Sequence, residues 1–179
     1  MTTPAVSVVI PVYNDAERLA ACLAALAAQE GVAGGFEVVV VDDGSSDGPE
    51  AVVAEYAFAR LVRQEKAGPA AARNRGAAEA RAPLLAFIDS DCIPRPDWLA
   101  QLIRPFDDPT VSGVQGVYTT TQRALVARFA QYEIEERYAI MRRAEGLAMI
   151  GTYSAAFAAS CLSTPRRIRH AFPSLGRRR

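Results

Sequence analysis

The sequence predicts an α/β protein: a mainly parallel sheet with helices on both faces. Three observations predict it. Four short, apolar, β-rich runs alternate with helix-forming runs; the connections between them are short; and each strand-like run ends in a polar turn. Strand–helix repeats of this kind give parallel strands, with the helices laid on the two faces of the sheet.

The elements follow in order. AVSVVI (5–10) is the first strand and leads into PVYND. AERLAACLAALAAQ (16–29) contains strong helix formers throughout and stops at the glycines of EGVAGG. FEVVVVDDGSSD (36–47) is again an apolar strand running into a polar turn. PEAVVAEYA (49–57) starts a helix with proline at a favoured first position. ARLVRQ (59–64) is a weaker strand, and GPAAARNRGAAEAR (68–81) a third helix. LLAFI (84–88) follows Pro83, is short and apolar, and reads as a buried strand ending in Asp89-Ser90-Asp91. RPDWL (95–99) begins the next helix, and no repeat of solenoid length is visible.

A chain of 179 residues is long enough for one domain with a substantial core. Net charge is zero but unevenly placed. Arg166, Arg167, Arg169, Arg177, Arg178 and Arg179 all lie beyond the last acid, Glu145, which leaves 14 basic against 20 acidic side chains in residues 1–145. Such a body does not suit bulk nucleic-acid binding. Cys22, Cys92 and Cys161 are odd in number and widely spaced, and His170 is the single histidine. Neither a zinc site nor a disulfide framework is indicated, so reduced cysteines in a cytoplasmic protein are expected. The N-terminus carries no basic region, and LAACLAALAA is bounded by Arg18 and Glu30, too short to span a bilayer. No transmembrane segment is therefore expected.

The polar turns carry the chemistry, because ligands of open α/β sheets bind at the carboxyl ends of the strands. The first turn offers Pro11, Tyr13, Asn14 and Asp15; the second offers Asp42, Asp43, Ser45, Ser46 and Asp47; the fourth strand delivers Asp89 and Asp91. Two carboxylates in Asp-x-Asp spacing on a bending chain can converge on one hard cation, magnesium or manganese, with substrate phosphates completing its shell. Without a cation so acidic an edge would repel phosphates. Simpler readings exist. Asp89 and Asp91 would cap the helix that RPDWL begins, and VDDGSSDG would be a tight helix-capping turn. Equally, a carboxylate such as Asp42 can accept bonds from a nucleobase imide or ribose hydroxyls. GxGxxG and GxxxxGK[ST] are both missing, so dinucleotide and P-loop readings fall away.

Taken together, VSVVIPVYND, VVVVDDGSSDG, GPAAARNRG and LLAFIDSDCIPRPDWL resemble, in order and at matching spacings, four successive blocks of the family 2 glycosyltransferases. These are inverting enzymes of GT-A fold that use nucleotide-diphosphate sugars. SGVQGVYTT and GTYSAAF resemble the strands that follow the metal motif there, so the likeness covers about residues 5–158. It implies that Pro11, Tyr13 and Asp15 line the nucleotide pocket, with Asp15 near the ribose or base. Asp42 would accept a bond from the base, while Asp43 and Ser45 shape the adjoining turn and Asp43 adds to the nucleotide-sugar site. Arg73 would sit by the nucleotide and offset phosphate charge; its simpler reading is a solvated helix arginine. Gly76 would let its helix approach the sheet. Asp91 would be the principal metal ligand, with Asp89 beside it on the sugar or ribose side, and Trp98 would pack its helix onto the sheet. The implied cofactor is Mn2+ or Mg2+, and the implied donor a UDP-type nucleotide sugar; the acceptor is unidentified.

The implied reaction is a single displacement at the anomeric carbon, in which a carboxylate deprotonates the acceptor hydroxyl. In the family this base follows the GTYSAAF-like strand. Here the residues after Phe157 read AASCLSTPRRIRHAFPSLGRRR and contain no acid. Glu133, Glu135 and Glu136 in QYEIEERY read as a solvated helix face, so no base is assigned. The expected organisation is a nucleotide-sugar-binding GT-A domain over 1–160, its C-terminal part incomplete, and a basic, disordered tail over 161–179. That tail is expected either as a truncated or frameshifted end, or as a segment held on anionic lipid at the inner face of a membrane. Two other functions fit parts of the pattern: a non-catalytic nucleotide-sugar-binding or interaction module, and a nucleotidyltransferase. The latter usually carries a Gly-rich basic loop after strand one, which PVYNDAERL lacks.

Overall fold

The computed structural model describes residues 3–120, 124–141 and 150–161. Strands β1 (Val6–Val12), β2 (Phe36–Asp42), β3 (Ala59–Arg63), β4 (Leu84–Ile88), β5 (Gly113–Gln115) and β6 (Ser154–Ala158) form one sheet in the order β3-β2-β1-β4-β6-β5. β1 runs parallel to β2 and β4, and β2 parallel to β3; β6 lies antiparallel between β4 and β5. Helices α1 (Ala16–Ala27), α2 (Pro49–Ala54), α3 (Pro69–Glu79), α4 (Trp98–Ile103) and α5 (Leu125–Met141) complete the fold. The mainly parallel sheet with helices on both faces is as the strand–helix alternation predicted.

Every residue of β1 is buried, which explains its unbroken apolar run. Val6, Val8, Ile10 and Val12 meet Leu19, Cys22, Leu23 and Leu26 of α1, Val53 of α2 and Leu99 and Leu102 of α4 on one face. On the other face Val9, Leu85 and Phe87 pack against Ala77 of α3, and Val39 and Val41 against Ala72. Burying each such valine or leucine contributes about 1.5–3 kcal/mol, so both layers are needed. α3 lies very close to the sheet. A Cβ on Gly76 would stand 2.3 Å from Cγ1 of Val9 and 3.1 Å from Cγ2 of Val41, the close approach expected for this glycine.

Helix ends differ from the sequence expectation by two or three residues, each for a tertiary reason. α3 stops at Glu79 rather than at 81, because the backbone N–H groups of Arg81 and Ala82 turn away from the helix. They donate to Oε1 of Glu37 at 2.8 Å and to Oγ of Ser7 at 3.1 Å. α2 stops at Ala54 rather than at 57, and Tyr56 and Phe36 each pack a tilted ring against Phe58, with centroids 5.4 Å apart. α1 stops at Ala27, and Gln29 reaches across to α4, accepting from the backbone N–H of Leu99 at 2.8 Å and donating to the carbonyl of Arg95 at 2.7 Å. The start of α4 is therefore held by Gln29, with Asp97 at its N-cap position. Asp89 and Asp91 do not cap it, and that simpler reading falls. Trp98 packs against the core and donates from Nε1 to Oγ of Ser154 at 3.0 Å, tying α4 to β6.

Glu133, Glu135 and Glu136 are exposed on α5, as a solvated face requires. Tyr138 faces inward, its hydroxyl 3.2 Å from that of Tyr153. Apart from Cys161, the basic tail lies outside the described residues, as does Glu145. Among the described residues, no helix is long and apolar enough to cross a membrane.

Candidate functional site

The carboxyl ends of β1, β2 and β4, with the loop after β3, surround a cleft of about 510 Å3. Pro11, Tyr13, Asp15, Asp43, Arg73, Asp89 and Asp91 line it, so the fold brings together residues from the ends of three strands and from α3. Asp42 is fully buried and is not part of the lining.

One end is a network of acids and arginines. Asp89, on the turn after β4, accepts from Nη2 of Arg73, whose side chain is only 20% exposed and whose Nε is buried without a hydrogen-bond partner. Arg73 is thus not a solvated helix arginine. Asp15 accepts from Nε of Arg18 at 2.7 Å and from the hydroxyl of Ser90 at 2.9 Å. Asp91 is the more open carboxylate, 51% exposed, with Nη1 of Arg18 at 3.8 Å from its Oδ2. Beside these acids, burial foremost pushes the thiols of Cys22 and Cys92 up, to about 12 and about 11, with the charges of Asp89 and Asp91 adding to the effect. Both therefore remain protonated at neutral pH and are poor nucleophiles.

Asp15 stands at the N-cap position of α1 but does not cap it. The first backbone N–H of that helix, from Ala16, goes to Oδ2 of Asp47 at 2.8 Å. The second turn is therefore a capping turn, as its simpler reading supposed, but it caps α1 across the sheet edge. α2, which follows it, starts from Gly48 at φ +75°. Asn14, at φ +49°, locks the two turns together: its N–H donates to Oγ of Ser45 at 3.0 Å, and its Oδ1 accepts from the N–H of Ser46 at 2.8 Å.

The other end is aromatic. Tyr13 is 43% exposed, and Nζ of Lys66 lies 3.8 Å from the centroid of its ring. Asp43 organises the wall behind them. Its Oδ1 accepts from Nε2 of Gln64 at 2.7 Å and the N–H of Ala67 at 2.8 Å, and its Oδ2 from the N–H of Gly68 at 2.8 Å. Burial alone would raise this carboxyl, but those donors and the Lys66 ammonium outweigh it and hold it below the usual range. Asp43 thereby sets a negative charge at the start of α3, where the helix dipole favours one. Asp42 accepts from the N–H of Ser45 at 2.8 Å, while Nε of Arg63 stands 2.9 Å from its Oδ2 outside hydrogen-bonding alignment.

Lys66, Arg18 and Ser90 also line the cleft, and the sequence reading gave none of them a role. Signals existed. Lys66 is the only lysine of the chain and lies two residues before Gly68 at the helix start, and Arg18 lies three residues after Asp15, within reach on a helix. As for a metal, Asp89 and Asp91 are hard oxygen donors on one bend. Among the described residues no group of three or more potential ligands could hold an ion. This donor set fits a cation that completes its shell with phosphate oxygens and water.

Comparison with known proteins agrees with this geometry. The family described as Glycosyl transferase family 2 matches residues 7–167. The chain is 38% identical over 120 residues to Glycosyltransferase AglE of Haloferax volcanii, covering 64% of this chain and 40% of that protein. It is also 38% identical over 114 residues to Putative glycosyltransferase EpsH of Bacillus subtilis, covering 62% of this chain and 33% of that one. The chain thus spans well under half the length of either relative. Among solved structures, the mannosyltransferase PcManGT from Pyrobaculum calidifontis, in complex with GDP-Man and Mn2+, superposes with a TM-score of 0.73 at 28% identity, over 89% of this chain and 46% of that one. S. aureus TarS in complex with UDP-GlcNAc superposes with a TM-score of 0.60 at 27% identity, over 67% and 36%.

Proposed function

The chain belongs to Glycosyl transferase family 2, and on that premise we propose that its cleft holds a nucleotide-diphosphate sugar, of uridine type, together with Mn2+ or Mg2+, for inverting transfer of the sugar to an acceptor. The observation that carries the reading is the division of one cleft into an aromatic end at Tyr13 and a carboxylate end at Asp89 and Asp91. A nucleotide sugar has the same two ends: a flat base, and a charged diphosphate that needs a cation beside carboxylates. The solved relatives bound to GDP-Man with Mn2+ and to UDP-GlcNAc support it by analogy.

In this reading Pro11 and Tyr13 receive the base and Asp15 lies toward the ribose. Asp42 acts from behind the wall, by holding the turn that carries Asp43. Asp91, the more open acid, is the principal metal ligand, and Asp89 joins it. Arg73 lies beside them and faces the diphosphate once the donor is bound. A cation held there would supply positive charge to offset the negative charge on the departing diphosphate. The acceptor base stays unassigned. The three free cysteines suit a reducing cytoplasm, and the arginine-rich end would add affinity for anionic lipid at the membrane's inner face.

Calorimetry with UDP tests the reading. Binding is expected in Mn2+ and at least about tenfold weaker, or lost, in EDTA and in Asp91→Ala. Equal affinity in EDTA and in Mn2+ would remove the metal from the account, and no binding of either UDP or GDP would remove the nucleotide.

A further inference from the structure

Lys66 is the only lysine in the chain and stands inside the cleft, where the donor-binding reading gives it no contact with the ligand. Its backbone is held on both sides. Asp43 takes the N–H groups of Ala67 and Gly68, and the N–H of Gln64 donates to the carbonyl of Asp42 at 2.9 Å. Even the neighbouring turn leaves little slack, since a Cβ on Gly44 would lie 3.3 Å from the Lys66 nitrogen. From this fixed backbone the ammonium reaches the Tyr13 ring, where Nζ stands 3.8 Å from the centroid. Asp43 interacts with the ammonium through charge, while its two oxygens accept backbone and side-chain N–H groups, and Asp42 does not line the cleft. Asp15 and Asp91 pair with Arg18, and Asp89 with Arg73.

We propose that Lys66 selects the nucleobase, favouring bases that carry an oxo group over those that carry an amino group. The proposal rests on the reading that the cleft holds a nucleoside diphosphate. A base stacking on Tyr13 takes the ring face that the ammonium now covers and moves it to the rim of the base. An ammonium has three donors and no acceptor. O4 of uracil or O6 of guanine accepts from it, whereas cytosine and adenine present at that place an amino group that also donates. The discrimination is therefore partly repulsive, the device by which sites reject a near-identical ligand. A hydrogen bond to a charged group, lost in the wrong complex, corresponds to about tenfold or more in affinity.

The experiment is a titration of the full chain, Lys66→Met and Lys66→Glu with UDP, CDP, GDP and ADP in Mn2+. Lys66 is exposed, and retained melting temperatures would show that both variants fold. The wild type should bind UDP over CDP, and GDP over ADP, by about tenfold. Lys66→Met should bring each pair within about twofold by weakening the oxo nucleotide, and Lys66→Glu, which offers acceptors, should turn the preference toward CDP. A wild type that binds UDP and CDP alike overturns the proposal while leaving the nucleotide site intact. So does a Lys66→Met variant that weakens all four ligands equally, the behaviour of a lysine on the diphosphate. If none of the four binds the wild type, the donor-site reading fails first and the proposal with it.

Discussion

Asp43 and Glu37 show what single carboxylates do for this protein. For Asp43, burial would raise the pKa, but the donors from Ala67, Gln64 and Gly68 and the charge of Lys66 bring it below the usual value. For Glu37, burial is likewise outweighed, by the Ser7 hydroxyl, the Arg81 N–H and the Arg60 guanidinium. A carboxyl depressed in the folded state contributes stability above its unfolded pKa, and that contribution is lost as pH falls through the folded value. The melting temperature should therefore hold on the acid side to about pH 4, the ordinary carboxylate value, and drop below it. Asp43→Asn should cost about 2 kcal/mol near neutrality, since an amide donor then faces backbone donors, and should make the acid-side fall shallower. Thermal melts across pH check both; an unchanged acid limb would mean that Asp43 does not titrate as its surroundings imply. At this scale, chemistry tied to a strand end is legible in the sequence. Asp89 and Asp91 were visible there because a short apolar run stops at them. Lys66 was not, because its place over Tyr13 depends on two loops brought together by the pairing of β1, β2 and β3.

Among the elements, α3 makes the sharpest prediction. Glycine to alanine inside a helix ordinarily stabilises by about 0.5–1 kcal/mol. At Gly76 the new methyl would sit 2.3 Å from Val9 and push α3 off the sheet. Gly76→Ala should therefore destabilise, by about 1–3 kcal/mol, and because Ala72 and Arg73 ride on the same helix it should also weaken UDP binding. Chemical denaturation settles the sign, and a stabilised Gly76→Ala would show that the packing is looser than described. Four strand–helix units lay where the sequence placed them because buried parallel strands are continuous apolar runs, hard to mistake. Their helix ends were misjudged because the stops belong to partners far along the chain: Glu37 and Ser7 for α3, and α4 for Gln29. The position of β6 could not be read from SAAFA, whose five residues carry no sign of direction or neighbour.

For the whole molecule, the open matter is transfer itself. Assayed alone with UDP- and GDP-sugars, the 179-residue chain is expected to show little or no turnover. No acid follows Glu145, and Glu133, Glu135 and Glu136 point to solvent from α5. Robust turnover abolished by substituting Glu133, Glu135 or Glu136 would show that one of them serves as the base. A last consequence follows from β6, last in order among the described strands yet an inner one in the sheet. A ribosome delivers β1 to β4 early, and these can assemble as soon as they emerge. One border of β4 must then wait, apolar and unpaired, until Ser154–Ala158 leave the exit tunnel and slide in antiparallel. For that interval the nascent chain presents a bare strand edge, the feature that most readily recruits a stranger. Until translation reaches β6, that edge of β4 is therefore open to pairing with a foreign strand.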